Sequence, residues 1–338
     1  MFTKTIESLI NGHSLNIDQA SAAMEKIMDG LVSDSEFGSF VTALRIKNET
    51  VEEIVGMASV MRSKSLKVSV DSPVLDTCGT GGDGSKSFNI STTSAFVVAG
   101  AGMNVAKHGN RAMSSSCGSA DILEELGANI DLEPDHVKLC IENTGFGFMF
   151  AQRYHPSMKF AAKPRKDLGL RTVFNILGPL TNPANAKFHL LGVADPSTGR
   201  KIAQVLSDLG SKRALVVHGK DNLDEITLSD NTQVWELRDN LINEYEINPR
   251  NLGFKKINKK DIQVIDIRES INVIMNVLNG IKSPHRDIVL INSAAALFAA
   301  DKVLDLESGI ELAKESIDTG KALKVLNSYI KLSQDLKK

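Results

Sequence analysis

The sequence is poor in several features that mark special classes of protein. It has three cysteines, Cys78, Cys117 and Cys140, an odd number without a C-x-x-C spacing, which predicts free thiols with a structural role in a reducing compartment. No apolar run reaches the roughly 18 residues that a membrane-spanning helix needs. The first ten residues carry Glu7 within their apolar pattern and lack a secretory core. We therefore expect a cytoplasmic protein that has no membrane partner.

The net charge of the chain is also close to zero. The 39 Lys and Arg residues almost balance the 41 Asp and Glu residues, which leaves a net charge of −2. This balance gives no electrostatic reason to expect a nucleic acid as partner. An apolar fraction of 42% and a charged fraction of 24% are ordinary for a soluble globular protein. A length of 338 residues predicts two domains, or one large domain with an appendage.

Residues 1–65 predict helices only. Apolar residues recur at helical spacing, and two capping boxes, Ser33 to Glu36 and Thr50 to Glu53, begin the third and fourth helices. These four short amphipathic helices predict a small bundle. Its faces hold no cluster of catalytic residue types, so we interpret it as a scaffold. The polar segment 63–73 ends in Ser-Pro and predicts a linker or hinge.

From Val74 onward, strands alternate with helices, which predicts parallel strands joined by crossover helices. The segment 226–238 predicts a strand pair that turns at residues 229–231, and the tail predicts helices over 288–300 and 307–332. The Pro- and Gly-rich segment 156–185 is expected to return to the bundle and line a cleft. The predicted fold class is α/β: a small helical domain, 1–65 completed by about 156–185, beside a large domain, 70–155 and 186–338, with a central, mostly parallel sheet.

One stretch, Gly79-Thr-Gly-Gly-Asp-Gly84, stands between a predicted strand and a predicted helix. Glycine lets the backbone approach a ligand closely, and a helix N-terminus attracts an anion. The stretch matches the dinucleotide fingerprint, but a polar insert delays the helix, and the next strand ends in basic Lys107-His108 instead of an acidic residue. We interpret the stretch as a phosphate loop, with a structural glycine turn as the alternative.

Two further groups carry polar chemistry, as does a pair of residues at the start of the helix that follows the glycine stretch. Residues 107–119 combine cations, hydroxyls and glycines, as a diphosphate site requires, although a solvated loop has a similar composition. Asn89 and Ser91 lie where a helix begins, where they either cap the helix or also contact a phosphate or its metal. Asp224-Glu225 follows a buried strand, and such carboxylates are ligands for Mg²⁺, although a charged turn is the alternative.

A fourth group has the chemistry of an acceptor site. Arg165 and the run 171–183 lie close together in the sequence. An arginine pairs with a carboxylate in bidentate fashion, and Gly178-Pro179 offers exposed backbone as a wall for a flat ring. The lysines near residues 255–260 are interpreted as a solvated face.

Together these groups resemble the anthranilate phosphoribosyltransferase family over the whole chain. The motifs that carry the resemblance are Gly79-Thr-Gly-Gly-Asp-Gly, Asn89-Ile-Ser-Thr, Lys107-His-Gly-Asn-Arg, Arg171-Thr-x-Phe-Asn-x-Leu-Gly-Pro-Leu-x-Asn-Pro and His218-Gly-x-Asp-x-x-Asp-Glu. The family transfers phosphoribose from phosphoribosyl pyrophosphate to the amino group of anthranilate, in tryptophan biosynthesis. The resemblance implies a pentosyltransferase that works as a homodimer joined through the helical domain.

The resemblance also implies roles for individual residues. The implied catalytic residues are Lys107, Asn110 and Asp83. The implied ligands of phosphoribosyl pyrophosphate are Gly79, Gly82, Asp83, Ser87, Asn89, Ile90, Ser91, Thr92, Lys107, His108, Gly109, Asn110, Arg111, Ala112, Met113, Ser114, Ser115 and Ser119. The implied anthranilate site consists of Gly79, His108, Asn110, Arg165 and Gly178. Two Mg²⁺ ions per subunit are implied, one on Ser91 and Glu225 and the other on Asp224 and Glu225.

Three positions depart from the family pattern, and two other functions remain open. Ser87 stands where the family often has Thr, Gln152 where it often has Pro, and Lys163-Pro-Arg165 where it often has Pro-Val-Arg, which leaves the shape of the acceptor channel open. One alternative is a pyrimidine-nucleoside phosphorylase, which shares the fold but needs no Asp-Glu pair for a diphosphate. The other is a non-catalytic paralogue that binds nucleic acid, from which a basic surface is expected.

Overall fold

The computed structural model describes residues 2–111 and 118–337. The chain begins with four helices, as predicted: α1 (Phe2–Ile10), α2 (Ile17–Met28), α3 (Asp34–Lys47) and α4 (Val51–Lys64). Both predicted capping boxes form, because Ser33 and Thr50 accept from the amides of Glu36 and Glu53. The Glu53 carboxylate is fully buried and also accepts from the Leu15 amide at 2.9 Å. It therefore ties the start of α4 to the segment that precedes α2.

Strands and helices then alternate up to the sheet's fifth strand. The elements are β1 (Leu75–Gly79), α5 (Ile90–Gly100), β2 (Val105–Gly109), α6 (Ser119–Glu125), α7 (Pro134–Thr144), β3 (Phe146–Phe150), α8 (Ala151–Tyr154), α9 (Lys159–Leu168), α10 (Phe174–Leu177), β4 (Phe188–Gly192), α11 (Gly199–Asp208) and β5 (Arg213–Gly219). Two further strands, β6 (Thr232–Arg238) and β7 (Leu241–Ile247), complete the sheet. Four helices follow: α12 (Ile267–Leu278), α13 (Pro284–Ala299), α14 (Leu306–Asp318) and α15 (Lys321–Asp335).

The seven strands form one sheet in the order β3-β2-β1-β4-β5-β6-β7. Strands β1 to β5 pair in parallel, and only β6 and β7 are antiparallel. The predicted fold class, a helical domain beside an α/β domain with a mostly parallel sheet, is confirmed. From β1 the chain adds β2 and β3 on one side of that strand, and it then adds β4 and the later strands on the other side. The order therefore reverses between β1 and β4, the point at which open α/β sheets bind ligands.

The predicted strand pair around residues 229–231 is wrong. The hairpin consists of β6 and β7, and it turns at Asp239 and Asn240, whose φ angles are 51° and 61°. Two consecutive positive φ values are the requirement of a tight hairpin turn, which Asp and Asn tolerate. The tail also differs from the prediction, because the helical run 307–332 is two helices that break at Gly320, where φ is 73°.

The segment 156–185 packs against the helical bundle. The rings of Phe174 and Phe37 lie 5.3 Å apart, and Ala161, Val173 and Leu177 belong to the same buried cluster as the first four helices. That cluster continues across one face of the sheet through Trp235. The limits of the two domains remain a prediction, since apolar packing is continuous between the bundle and this face. Within the described residues, no helix is both long and apolar enough to cross a membrane.

Candidate active site

The glycine stretch lies at the carboxyl edge of the sheet, where the strand order reverses. Gly79 ends β1 and is in register with Gly192, which ends β4. The Thr80 amide donates to the Gly192 carbonyl at 2.9 Å, and the Thr80 hydroxyl accepts from the Ala194 amide at 3.0 Å. Within the loop, Gly81, Gly82 and Gly84 have φ between 62° and 77°, which favours glycine. The loop is therefore held in the crevice at the reversal point of the sheet.

Asp224 lies in the connection that follows β5 and reaches this loop. Its Oδ2 accepts from the Gly81 amide at 2.8 Å, and its own amide lies 3.4 Å from Asp83 Oδ2. A Cβ atom at Gly79 would lie 2.8 Å from Asp224 Oδ2. The glycine at position 79 therefore allows the carboxylate to approach the strand end. The structure thus brings together two motifs that are about 140 residues apart in the chain.

Gly192 is required for this arrangement and was not singled out in the sequence. A Cβ atom there would lie 1.6 Å from the carbonyl oxygen of Asp224. We expect Gly192→Ala to displace the Asp224 backbone and to lower the rate of the transfer reaction that the resemblance implies at least about tenfold, since small misplacements of a site are costly. Steady-state kinetics and a thermal melt measure the effect. Gly38→Ala is the control, because no atom outside its own helix lies within 4 Å of that Cβ; a Gly192 variant as active as this control would contradict the assignment.

Asp224 and Glu225 repel one another in a half-buried position. Burial, and after it the negative charge of Asp83, raises the pKa of Asp224 to about 7. Burial likewise raises the pKa of Glu225 well above its usual value, as does Asp224, whereas Lys107 opposes the shift. The Glu225 carboxylate lies beside the Ser91 backbone, so the two residues are neighbours. A cation that binds between two such carboxylates stabilises their charged forms.

These residues fit a magnesium ion that is shared with a ligand. The described residues 2–111 and 118–337 contain no group of three or more His, Cys, Asp and Glu side chains placed to hold a metal alone. Mg²⁺ typically binds one or two carboxylates and completes its coordination with water and substrate phosphates. Asp224, Glu225 and the neighbouring Ser91 therefore match the donors of such a site.

Lys107 extends from β2 into the buried space beside the start of α5. Its side chain is 1% exposed, and its Nζ donates to the Thr77 carbonyl and to Ser91 Oγ, the latter at 3.2 Å. Burial lowers the pKa of Lys107, while Asp76 and Glu225 raise it. Within the described part of the chain it forms no ion pair within 4 Å. This ammonium therefore adds positive charge where the glycine loop meets α5.

The N-terminus of α5 is capped by a side chain. Asn89 Oδ1 accepts from the Thr92 amide at 3.0 Å, so the predicted capping role of Asn89 is correct. Thr92 Oγ1 donates to Ser119 Oγ at 3.1 Å, which links this helix to the start of α6. Ile90 is buried, and Ser87 pairs with Gln263 across an isolated bridge. The structure therefore clusters these predicted donor residues around one helix N-terminus.

The predicted loop 107–119 is described only in part. Gly109 ends β2, and Arg111 pairs with Asp121 at 3.1 Å and also with Glu124. The guanidinium of Arg111 lies 5.4 Å from the ring centre of Phe150. Ala112, Met113, Ser114 and Ser115 lie outside the described residues, so their predicted roles remain predictions.

The predicted acceptor residues come from both sides of the cleft: Arg165 and Gly178 belong to the segment that packs against the bundle, and Asn110 follows β2. The Arg165 guanidinium is 5.3 Å from the ring centre of Phe174, and burial lowers its pKa. Asn110 Oδ1 accepts from its neighbour's amide at 2.8 Å and from Gln152 Nε2 at 3.4 Å. Gln152, one of the departures from the family pattern, thus contacts a predicted site residue.

His108 lies deeper than the other acceptor residues. Its ring centre is 5.0 Å from that of His155, and the Gly178 backbone lies beside the His108 ring. Burial and the neighbouring His155 lower the pKa of His108 well below its usual value. His108 is therefore neutral near pH 7, and Arg165 is the residue of the predicted acceptor group that carries a positive charge to an anionic ligand.

Arg171, which was noted for its motif but given no role of its own, borders the glycine loop. A Cβ atom at Gly82 would lie 1.6 Å from Arg171 Nη1, and the Arg171 carbonyl accepts from Arg45 at 2.6 Å.

Asp76 and Asn182 are buried together between β1 and β2, with Asn182 Nδ2 donating to Asp76 Oδ2 at 2.7 Å. Asn182 belongs to a motif and Asp76 to the strand before the glycine loop, but neither was expected to matter by itself. A buried charge directly before a glycine loop was the signal that could have identified Asp76.

Comparisons with known proteins agree with this arrangement. Residues 3–65 match the helical bundle domain of a glycosyl transferase family, and residues 71–323 match its a/b domain. The chain is 50% identical, over 99% of both chains, to the anthranilate phosphoribosyltransferase of Dehalococcoides mccartyi. The crystal structure of the enzyme of that name from Thermus thermophilus is 38% identical and superposes with a TM-score of 0.93, covering 98% of this chain and 99% of the other.

A second similar solved structure is a complex with ligands. It is the Saccharomyces cerevisiae anthranilate phosphoribosyltransferase in complex with phosphoribosyl pyrophosphate and Mg, 27% identical with a TM-score of 0.91 over 99% of this chain and 98% of the other. Identity of this extent over the full length, together with the shared fold and motifs, decides the family. The chain belongs to the anthranilate phosphoribosyltransferase family of glycosyltransferases.

Proposed function

We propose that the cleft at the carboxyl edge of the sheet is the active site of a phosphoribosyl transfer. There the chain moves the 5-phosphoribosyl group of phosphoribosyl pyrophosphate onto the amino group of anthranilate. The products are N-(5-phosphoribosyl)anthranilate and pyrophosphate, and the reaction is a step of tryptophan biosynthesis. The observation that carries the proposal is the meeting of three distant motifs, the glycine loop, Lys107 and Asp224-Glu225, in one crevice.

The donor binds on the sheet side of the cleft. The amides of the glycine loop and of the N-terminus of α5 hold its phosphates. The other predicted ligands complete the donor site: Gly79, Gly82, Asp83, Ser87, Asn89, Ile90, Ser91, Thr92, Lys107, His108, Gly109, Asn110, Arg111, Ala112, Met113, Ser114, Ser115 and Ser119. Those that the structure describes converge on the ends of β1 and β2 and the start of α5.

Magnesium is the proposed cofactor. The complex of the yeast enzyme with phosphoribosyl pyrophosphate and Mg supports this choice, as do the raised pKa values of two adjacent carboxylates. When bound, Mg²⁺ neutralises negative charge on the phosphates. We propose two ions per subunit, one held by Ser91 and Glu225 and the other by Asp224 and Glu225.

Charge on the departing pyrophosphate is the main obstacle to the reaction, because an aromatic amine is already neutral at pH 7. The transition state has oxocarbenium character at the anomeric carbon of the ribose. Lys107 supplies a fixed positive charge on the side where pyrophosphate leaves, in a buried site where such a charge has a large effect. Asp83, through its contact with Asp224, holds the glycine loop in place.

Anthranilate binds on the helical side of the cleft. Arg165 pairs with its carboxylate, Asn110 orients its amine, and Gly79, His108 and Gly178 surround the ring. This placement is supported by the cationic Arg165 and by the neutral state of His108. Because the acceptor wall comes from segment 156–185 and the donor loop from the sheet, closure of the two sides would exclude the water that hydrolyses the donor.

We further propose a cytoplasmic homodimer joined through the helical domain. Large apolar side chains are exposed on that part of the chain, with Ile46 82% and Leu31 73% exposed, as an interface would require. Sedimentation velocity measures the association.

The function is tested by mixing the protein with phosphoribosyl pyrophosphate, Mg²⁺ and anthranilate and following the loss of anthranilate fluorescence. The expected result is a loss that needs all three components and the protein. A protein that leaves the fluorescence unchanged but splits thymidine or uridine with phosphate would instead be the nucleoside phosphorylase. A protein without either activity that binds nucleic acid would be the non-catalytic paralogue.

A further inference from the structure

The pairing of β1 with β2 stops after one residue pair. Leu75 pairs with Val105, and the Leu75 amide donates to the Asn104 carbonyl at 2.9 Å. By contrast, β1 with β4 and β2 with β3 each form five consecutive pairs. The interruption therefore lies in the middle of the sheet, and it opens towards the carboxyl edge that carries the candidate site.

Side chains replace the missing main-chain bonds. In a continued parallel ladder, the Thr77 amide would donate to the Ala106 carbonyl, and the His108 amide would donate to the Thr77 carbonyl. Instead, the His108 amide donates to the Asp76 carboxylate at 3.3 Å. The Ala106 carbonyl accepts from Asn182 Nδ2 at 2.8 Å. Asp76 and Asn182 thus take the place of the ladder between the two strands.

Asn182 uses both of its side-chain donors and its side-chain oxygen in this position. Its Nδ2 donates both to Asp76 Oδ2 and to the Ala106 carbonyl, and its Oδ1 accepts from the Ala184 amide at 2.9 Å. Asn182 is 2% exposed and Asp76 is fully buried. A buried network in which every member is satisfied is rigid, and removal of one member leaves its partners unpaired.

The interruption also frees one main-chain acceptor. Because the His108 amide is bound to Asp76, the Thr77 carbonyl is available to the Lys107 ammonium, which donates to it. Lys107 Nζ then lies 3.2 Å from Ser91 Oγ at the start of α5. The opposite charge of buried Asp76 stabilises the ammonium in this buried position.

We infer that Asp76 and Asn182 are positioning residues for the transfer reaction. They keep β1 and β2 apart at the carboxyl edge, and this gap places the Lys107 ammonium between the Thr77 carbonyl and α5. The inference rests on the proposed function, in which Lys107 faces the departing pyrophosphate.

The experiment compares N182A with the wild type and with N185G. Asn185 is exposed and belongs to the same segment, and its side chain takes no part in the network. Its φ is 51°, which glycine adopts without strain, so N185G controls for changes in the segment. We expect N182A to lower kcat at least about tenfold, since displacement of a catalytic group by about 1 Å costs about 10²-fold. The KM for anthranilate should change less than about twofold, and N185G should keep both values.

A double-mutant cycle with Lys107 separates positioning from general damage. In a K107M background, N182A should lower kcat by less than about twofold further, because the group that it positions is already gone. Amide hydrogen exchange at Thr77 and His108 should quicken in N182A, and a thermal melt verifies that the variant is folded. Should N182A not fold, the nearly isosteric D76N replaces it in the same cycle.

Two results would overturn the inference. One is an N182A variant whose loss of kcat adds in full to that of K107M. The other is a variant with normal kcat and a raised KM for anthranilate, which would mean that Asn182 only supports the acceptor wall. A wild-type protein without phosphoribosyl transfer would contradict the proposed function instead, and hydrogen exchange at Thr77 and His108 would still decide whether Asn182 maintains the gap.

Discussion

The D224N/E225Q variant is expected to turn over at least about a hundredfold more slowly than the wild type at saturating substrates. The two substitutions keep the size of the side chains but remove both charges that would hold Mg²⁺. A metal that neutralises a leaving phosphate contributes several kcal/mol to the transition state, and each 1.36 kcal/mol is tenfold in rate. Initial rates measured over a series of Mg²⁺ concentrations should also show a higher Mg²⁺ requirement.

Thermal stability gives a second measurement that does not depend on turnover. Phosphoribosyl pyrophosphate and Mg²⁺ together should raise the Tm of the wild type, because a ligand that binds only the folded state stabilises it. The variant should show a much smaller rise. D230N is the matched control, since Asp230 is exposed and lies in the same connection between β5 and β6. An unchanged Mg²⁺ requirement in D224N/E225Q would remove these residues from the metal site.

K107M is expected to lower kcat by about 10² to 10³. Methionine is unbranched like lysine and only one atom shorter, but it carries no charge, and removal of one preorganised group from a buried site costs about this factor. The KM for anthranilate should change little, because Lys107 lies on the donor side, between Thr77 and Ser91. Rates measured while each substrate is varied in turn separate the two effects.

Lys220→Met is the control for this variant. Lys220 follows β5 at the same edge of the sheet but pairs with Glu246 away from the cleft. It should retain wild-type kinetics. Because Lys107 also balances the charge of buried Asp76, a thermal melt of K107M must show folded protein before its rate is interpreted. A folded K107M protein with a wild-type kcat would mean that another group faces the pyrophosphate.

The sequence predicted those parts of the site that follow from local pattern. A glycine run after a strand, the Asn89 cap and the capping boxes of α3 and α4 each depend on residues a few positions apart, and the structure contains all of them. The fold class followed from the alternation of strands and helices. Such features depend on residues that are close together in the sequence, which explains why a single sequence is enough to predict them.

The parts that could not be predicted depend on strand order. Gly192 matters only because β4 lies beside β1 and brings the Asp224 carbonyl to it, across more than 30 residues of sequence. Asn182 meets Asp76 only because β1 and β2 separate. The hairpin was misplaced for a related reason: residues 229–231 and Asp239-Asn240 both have turn chemistry, and only the pairing of β6 with β7 selects between them.

The outer strand of the hairpin has a consequence for behaviour in concentrated solution. Strand β7 ends the sheet, and a free edge invites a strand from another molecule. Its Glu244 pairs with Arg200, and its Glu246 pairs with Lys220. A second molecule that added a strand there would have to disturb this row of charged pairs. The edge of the sheet is thereby protected against fibril-like growth.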